Sequence, residues 1–329
     1  MITARTTIIT GTLLAVFATL AWALNFVAPY VTGAYSIYDL TIIRFLIAGA
    51  LGSLGVILCR TQRRSLQRSQ QLLAAALGAM GYLGYSSCIA AGVIFGGPVL
   101  TAACVGFVPV LLALLGNAKE KTVQWHRLAL PLTFMVVGLF LANIGSMNLA
   151  QAGRASWLTG LFFSVLAVTL WLAFSLLNQS AIGKIPHAAT GIWTSLMMAG
   201  AGMGTVFLIP VVHMLGLFKL PSMGFNITSA GHLYAWALVI AVMSSVIGAW
   251  AWNAATKRLP MVLSGQLISL ESLFAAVLGL LFIGRFPTPI EATGLIAVVI
   301  GAAIAVHSIL GANETITSSV VTRANRPRP

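Results

Sequence analysis

The chain of 329 residues is 59% hydrophobic and only 7% charged, with 18 Lys and Arg against 5 Asp and Glu. This composition excludes an ordinary soluble domain, in which about a quarter of the residues are charged. The net charge of +13 does not indicate a nucleic-acid-binding protein, because every basic residue except Arg44 falls in a loop between long apolar stretches.

The apolar stretches predict an all-α integral membrane protein with ten transmembrane helices. Each stretch is about 20 residues long, enough for a helix rising 1.5 Å per residue to cross about 30 Å of hydrocarbon. The predicted spans are 8–30, 38–59, 70–94, 97–117, 126–145, 157–178, 189–213, 231–254, 260–283 and 288–310.

The basic loop residues lie mostly on one side of the membrane. When the chain alternates between sides, one side receives only Arg154, Lys219 and Arg285. The other side receives Arg5, Arg60, Arg63, Arg64, Arg68, Lys119, Lys121, Arg127, Lys184, Lys257, Arg258, Arg323, Arg326 and Arg328. Positively charged loops stay in the cytoplasm, so this second side, which includes both termini, is predicted to be cytoplasmic.

Arg44 is the one basic residue deep inside a predicted span, since Arg127 stands at the edge of the fifth. It follows Asp39 by five residues and therefore lies about 7–8 Å deeper in the membrane by helical rise. A buried Arg must be paired whatever its role. Two interpretations stay open: Arg44 binds a substrate carboxylate or forms a gate with an acidic residue, or it fixes helices through backbone carbonyls.

Aromatic and amide side chains within the spans complete a candidate cavity. Trp and Tyr also form belts at the membrane interface, so the deeper positions are the better candidates. The candidates are Trp22 and Asn25 in the first span, Tyr82 and Tyr85 in the third, Trp171 in the sixth and Gln266 in the ninth, with Trp193, Trp250 and Trp252 as further aromatic residues.

Glu271 lies in the middle of the ninth span, about 17 Å from either end by helical rise. Ionisable residues at such a depth usually mark a solute pathway or a proton site. We therefore predict that Glu271 binds a cationic or amino group or carries a coupling proton. The alternative is a protonated carboxyl that acts as a structural clasp between packed helices. Glu120, Glu291 and Glu314 are expected to be solvated or interfacial.

The two halves of the chain resemble each other. GTLLAVFATLAW at 11–22 aligns with GLFFSVLAVTLW at 160–171, and GGPVLTAACVGFVPVLLALLG at 96–116 aligns with RLPMVLSGQLISLESLFAAVLG at 258–279. Because each half has five spans, equivalent helices point in opposite directions. The sequence thus predicts two inverted five-helix repeats, 8–145 and 157–310, an arrangement typical of secondary transporters.

Several longer segments are distinctive. They are AWALNFVAPY, YDLTIIRFLIAGAL with Arg44, and FVPVLLALLG before Glu120 in the first half, and TLWLAFSLLNQSA and SSVIGAWAWNAATKRLPMVLSGQLISLESLFAAVLGLL in the second. Together they resemble the drug/metabolite transporter superfamily, specifically its bacterial ten-span EamA-type members. Many relatives carry Pro after a Glu like Glu271 and Glu where Arg285 stands, so Ser272 and Arg285 depart from the pattern. The resemblance implies export of amino acids, related metabolites or toxic organic compounds from the bacterial inner membrane.

The leading hypothesis is alternating access around Glu271, driven by a proton gradient or by substrate exchange, with a small-molecule substrate and the lipid bilayer as partners. A passive channel and an intramembrane enzyme are the alternatives. No GxSxG, HExxH or Walker motif is present, so we expect no enzyme activity and no ATP hydrolysis.

No metal, cofactor or nucleic acid is expected to bind, and the chain is expected to act as a monomer or homodimer. The polar residues 311–329, which contain Pro, are predicted to form a disordered cytoplasmic tail.

Overall fold

The computed structural model describes residues 2–121, 124–143 and 154–324, and every regular element within them is helical. The long helices are α1 (Ile2–Ala23), α2 (Ile37–Leu58), α3 (Arg68–Gly96), α4 (Pro98–Gly106 and Val108–Glu120), α5 (Trp125–Asn143), α6 (Arg154–Ile182), α7 (His187–Met214), α8 (Ile227–Thr256), α9 (Met261–Ile283) and α10 (Pro289–Ala324). Short helices at Ala28–Val31, Arg60–Arg64 and Leu220–Met223 lie between them.

Nine of the described helices are long and apolar enough to cross a membrane. The predicted fifth span corresponds to α5, whose apolar part, Trp125–Leu141, is shorter than the other nine. Residues 144–145 of that predicted span lie outside the described residues. The coarse prediction of an all-helical, multi-span protein is confirmed, and the tenth span stays a prediction.

The last helix is longer than predicted. It continues past residue 310 to Ala324, so the first part of the tail is helical where we expected disorder. After Pro289 the next proline is Pro327, and the intervening residues contain nothing that must stop a helix. Residues 325–329 of the predicted tail lie outside the described residues.

Three helices of the first half pack on the helix that lies five positions later in the chain. These contacts join α2 with α7, α5 with α10, and α4 with α9. Two further contacts are related by a shift of five helices. In the first, α1 packs on α8, and in the second, the corresponding helices α6 and α3 pack on each other. The large side chains Phe45, Phe174 and Trp193 are fully buried in the core between these helices.

Four of the long helices are irregular, and the irregularities also recur five helices apart. A π-helical segment interrupts α3 at Ala79–Gly84 and α8 at Ala241–Gly248. A break separates the two segments of α4 at Phe107, and another separates the two segments of α9 at Ile268. Such interruptions in membrane helices are commonly found at functional positions.

One end of the bundle, here named the basic end, collects the loops rich in Lys and Arg. The Lys119 ammonium donates to Ser180 Oγ at 2.7 Å, and the Lys257 ammonium donates to the Ile185 carbonyl at 2.8 Å. Glu120 accepts the backbone N–H of Met261, the first residue of α9, at 2.9 Å. These contacts hold together the loops after α4, α6 and α8.

Asp39 organises the opposite end. One of its oxygens accepts the backbone N–H of Ser36 at 2.6 Å and caps α2, while the other accepts those of Lys219 and Leu220 at 2.9 and 3.0 Å. The same end contains an ion pair between Arg285 and Glu291 at 2.7 Å. Glu291 is buried in this pair, in the first turn of α10, so of the two expected positions the solvated one is wrong and the interfacial one stays a prediction.

Candidate functional site

The burial of α9 changes abruptly at Glu271. Every residue from 261 to 270 is buried, and none from 271 to 283 is. Glu271 itself is partly exposed and is the first residue of the accessible segment. The carboxyl therefore lies where the buried half of α9, toward the basic end and here named the closed half, meets the exposed half of the same helix.

Two glycines allow α4 and α9 to approach closely in the closed half. A Cβ on Gly116 would lie 2.8 Å from Met261 Cγ, and a Cβ on Gly265 would lie 2.9 Å from the Ala113 nitrogen. Only glycine fits such a crossing without displacing backbone. Beyond the breaks the partners differ, because Pro98–Gly106 packs on α3 and α6 while Ser269–Ile283 packs on α1. The two helices thus close the basic end and take separate paths toward the other end.

Arg44 lies inside the bundle, not at its surface. It is buried, its Nε donates to Ser245 Oγ at 2.8 Å, and its guanidinium carbon lies 4.3 Å from the centre of the Phe45 ring. It interacts electrostatically with Glu271 and with Tyr82. Within the described residues, however, the ion pair in direct contact is the one between Arg285 and Glu291. Arg44 and Glu271 therefore share a region without neutralising each other in a contact pair.

Six aromatic rings form one cluster beside these charges, because Phe174 contacts both Tyr82 and Trp171. Trp22 contacts Tyr82, Trp171 and Trp252, with ring centres 6.3, 5.3 and 5.0 Å apart. Tyr85 lies against Trp171 at 4.7 Å, and both tyrosines interact electrostatically with Glu271. Residues of α1, α3, α6 and α8 that are far apart in the sequence thus form one aromatic wall.

The π segment of α8 connects this wall to Arg44 through two adjacent serines. Trp22 Nε1 donates to the Ser244 carbonyl at 3.1 Å, and the Ser244 hydroxyl donates to Asn25 Oδ1 at 3.0 Å. The next residue, Ser245, accepts from Arg44. A π turn disturbs the regular backbone bonding of a helix, and here a carbonyl of that turn serves as the acceptor for Trp22.

Three of the predicted site residues carry buried polar atoms that have no hydrogen-bond partner within the described part of the chain. They are Tyr82 Oη, Trp171 Nε1 and Gln266 Oε1. A buried polar atom left unpaired costs about 1–3 kcal/mol. Of the three, Tyr82 Oη and Trp171 Nε1 belong to the aromatic wall, where they are suited to contact a bound solute or water.

The remaining candidates lie elsewhere. Gln266 is buried in the closed half, before the break of α9. Trp250 is 44% exposed on the outside of the bundle. Trp193 belongs to a separate buried network, in which its Nε1 donates to Asn178 Oδ1 at 2.9 Å and Asn178 donates to Asn253 at 2.8 Å.

Sequence reasoning missed Ser244, Ser245, Asn178 and Asn253. An adjacent pair of serines in the middle of an apolar span, or an amide near its end, is a signal that could have identified them.

Comparison with known proteins identifies a relative of nearly the same length. No family model matches the chain. The inner membrane protein YtfF of Escherichia coli is 27% identical over 311 residues, which are 91% of this chain and 96% of that protein. With this relative and the nine long apolar helices, the predicted localisation is confirmed. The chain is a multi-pass inner membrane protein.

A solved crystal structure has a similar fold. It superposes with a TM-score of 0.69 at 18% sequence identity and covers 90% of this chain and 97% of its own. At that identity the likeness concerns the fold alone.

Proposed function

We propose that this chain is a secondary active transporter of small solutes that works by alternating access and belongs to the EamA-type drug/metabolite transporters. The observation that carries the proposal is the position of Glu271, at the junction between the buried and the accessible segments of α9. A carboxyl in mid-membrane is costly unless it meets water, solute or a partner. At this junction it would be reached by water and solute from one side of the membrane.

The helix pairing supports two inverted repeats. Contacts, π segments and helix breaks all recur with a shift of five helices. Two half-structures related in this way are able to exchange roles, so that the half closed in one state opens in the other. Alternating access would follow from such an exchange.

The distribution of charge supports an outward-open state. The basic end carries the loops that the positive-inside rule assigns to the cytoplasm. The closed half, with its crossing of α4 and α9, adjoins that end, so the accessible segment of α9 leads to the outside.

The side chains around Glu271 suit a solute that has charged and aromatic or apolar parts. Glu271 would bind an amino or cationic group or carry the coupling proton, and Arg44 would bind a carboxylate. The aromatic wall would contact the remainder of the solute. Amino acids and related metabolites, or toxic organic compounds, fit this description, and export is the direction we propose.

Transport by the purified protein in vesicles tests the proposal. Uptake of a panel of labelled amino acids and organic cations is measured with and without an imposed proton gradient. We expect saturable uptake of at least one compound, and we expect Glu271→Gln to reduce it to the level of protein-free vesicles. Glu314→Gln makes the same chemical change in the tail and should leave uptake unchanged.

Full gradient-driven uptake by Glu271→Gln would show that this carboxyl has no part in transport. A conductance that does not saturate would favour a passive channel, and hydrolysis of a lipid or peptide by the purified protein would favour an enzyme.

A further inference from the structure

A second cavity lies on the outside of the bundle, apart from Glu271. Its volume is about 250 Å³. It lies between α2, α7 and α8, and its walls include Leu51, Gly52, Gly191, Met198, Val246 and Trp250. Leu51 is 39% exposed and Trp250 is 44% exposed, so this lateral crevice is open on the membrane-facing surface.

The crevice and the solute site lie on different sides of α8. Ser245 faces inward, where it accepts from Arg44. The next two residues, Val246 and Ile247, line the crevice. An occupant of the crevice therefore comes from the hydrocarbon region of the bilayer and needs an apolar chain.

Cationic segments lie near the end of the crevice that faces the basic end. Gly191, in the first turn of α7, follows His187 by four residues, or about 6 Å of helical rise. The short helix Arg60–Arg64 contacts the turn His187–Ala189. Lys257 is bonded to the carbonyls of Ile185 and Pro186 at 2.8 and 2.9 Å.

No acid offsets these cations locally. Residues 51–68, 183–195 and 246–258, which supply the walls of the crevice and its mouth, contain no Asp or Glu. Arg60 and Arg64 are exposed, and Arg63 is partly exposed. Trp250 lies seven residues before Lys257, so the crevice lies about 10 Å below the cations by helical rise. An apolar slot beneath a cationic mouth has the polarity of a phospholipid with an anionic headgroup.

We propose that the lateral crevice binds one anionic phospholipid. An acyl chain fills the space between α2, α7 and α8, and the phosphate lies on Arg60, Arg63 and Arg64. The planar guanidinium group matches the geometry of phosphate oxygens. The site is distinct from the solute site and does not depend on the function proposed above.

Lipid binding to the purified full-length chain tests this site. Native mass spectrometry counts retained lipids from mixed micelles that contain either phosphatidylglycerol or phosphatidylcholine with the same acyl chains. One phosphatidylglycerol is expected to bind about a hundredfold more tightly than phosphatidylcholine, since each of the three arginines near the anionic headgroup contributes roughly fivefold.

Two variants separate the contribution of the lipid headgroup to binding from that of the acyl chain. Replacing Arg60, Arg63 and Arg64 together by Gln removes the cations and should abolish the preference for phosphatidylglycerol. Gly191→Leu fills the crevice and should weaken both lipids. A Cβ at Gly191 meets no heavy atom within 4 Å, so this variant is expected to fold. Circular dichroism and gel filtration check this, and Gly191→Ala should give a smaller effect in the same direction.

The matched control replaces Arg323, Arg326 and Arg328 in the tail by Gln, which removes the same charge from another place. Equal loss in the control, no preference in the wild type, or normal binding by Gly191→Leu would each overturn the proposal. Equal competition by glycerophosphoglycerol, which lacks acyl chains, would overturn it in favour of a site for the headgroup alone. Normal lipid binding with lost transport in Gly191→Leu would overturn it in favour of a lateral portal for the solute.

Discussion

At the scale of single residues, Trp22 joins more parts of the site than any other side chain described above. Its ring contacts Tyr82, Trp171 and Trp252, and its Nε1 bonds to the Ser244 carbonyl. It therefore connects α1 to three other helices and to the π segment that holds Arg44.

Trp22→Phe is expected to destabilise the protein. Phenylalanine keeps an aromatic ring in the cluster but leaves the Ser244 carbonyl without its donor, at a cost of about 1–3 kcal/mol. The thermal midpoint in detergent should fall by several degrees. Trp250→Phe is the control, because its ring is 44% exposed and this substitution should have little effect. Equal midpoints for the two variants would show that the bond to Ser244 contributes nothing.

The sequence predicted the depth of the site residues better than their partners. Helical rise from Asp39 predicted that Arg44 lies below the span end, and the side chain is buried. Its partner Ser245 is 201 residues away, and no spacing rule reaches that far. The sequence also did not show which side of each helix faces inward. Gln266 and Trp250 were therefore grouped with residues that they do not contact. Burial along an apolar helix depends on its neighbours, which the sequence does not identify.

At the scale of elements, the crossing of α4 and α9 decides which end of the bundle is closed. The two glycines of the crossing lie on different helices, and each meets the other helix at its backbone or Cβ atoms. The crossing therefore depends on the absence of a single methyl group on either side.

Gly265→Ala should weaken the closed half. The new Cβ would lie 2.9 Å from the Ala113 nitrogen and the Leu112 Cβ, and such overpacking costs about 1–3 kcal/mol. Gly279→Ala is a matched control on the same helix, since its nearest neighbour is the Tyr30 hydroxyl at 3.4 Å. It should be neutral or stabilising by up to about 1 kcal/mol through helix propensity. Thermal midpoints measure both, and a reversed order would exclude a tight crossing.

The two helix breaks differ in how far the sequence explains them. In α4 the break at Phe107 precedes Pro109, which has no N–H and cannot continue the regular bonding of the preceding turn. In α9 the residues around Ile268 include no proline, so that break arises from packing against other helices. The first was predictable from local chemistry and the second was not.

At the scale of the whole molecule, the mechanism requires a water path to Glu271 from one side only. The burial of side chains along α9 predicts where that path ends. Ser264 and Ser269 are buried, whereas Ser272 is partly exposed. These three serines lie on one helix and allow the same substitution on either side of the junction.

Cysteine labelling measures this path in intact cells. In a background with Cys59, Cys88 and Cys104 replaced by Ala, Ser272→Cys should react with a membrane-impermeant maleimide added outside. Ser264→Cys and Ser269→Cys should stay unmodified in intact cells and react only after the protein is denatured, because both positions are buried in the closed half. Labelling of all three from outside, or of none, would contradict an outward-open path that ends at Glu271, and it would also test the predicted orientation of the termini.

Only the features of the architecture that depend on local sequence patterns could be predicted from the sequence. Apolar length located the spans, and self-similarity indicated two related halves. The pairing of α2 with α7 and of α5 with α10 is a three-dimensional result that no apolar pattern encodes. The extension of α10 beyond residue 310 was missed because composition, and not the absence of a stop signal, was used to end it.

The π segments of α3 and α8 have a consequence for rotation. Each π segment contains one residue more than the corresponding α-helical turn. Converting one such turn to α geometry would rotate the rest of the helix by about 100° about its axis. Beyond the segment in α3 lies Tyr85, and beyond the one in α8 lies Trp252. A twist within a single helix would therefore swing an aromatic ring toward or away from Trp22 and Trp171 while the loops at both ends kept their length.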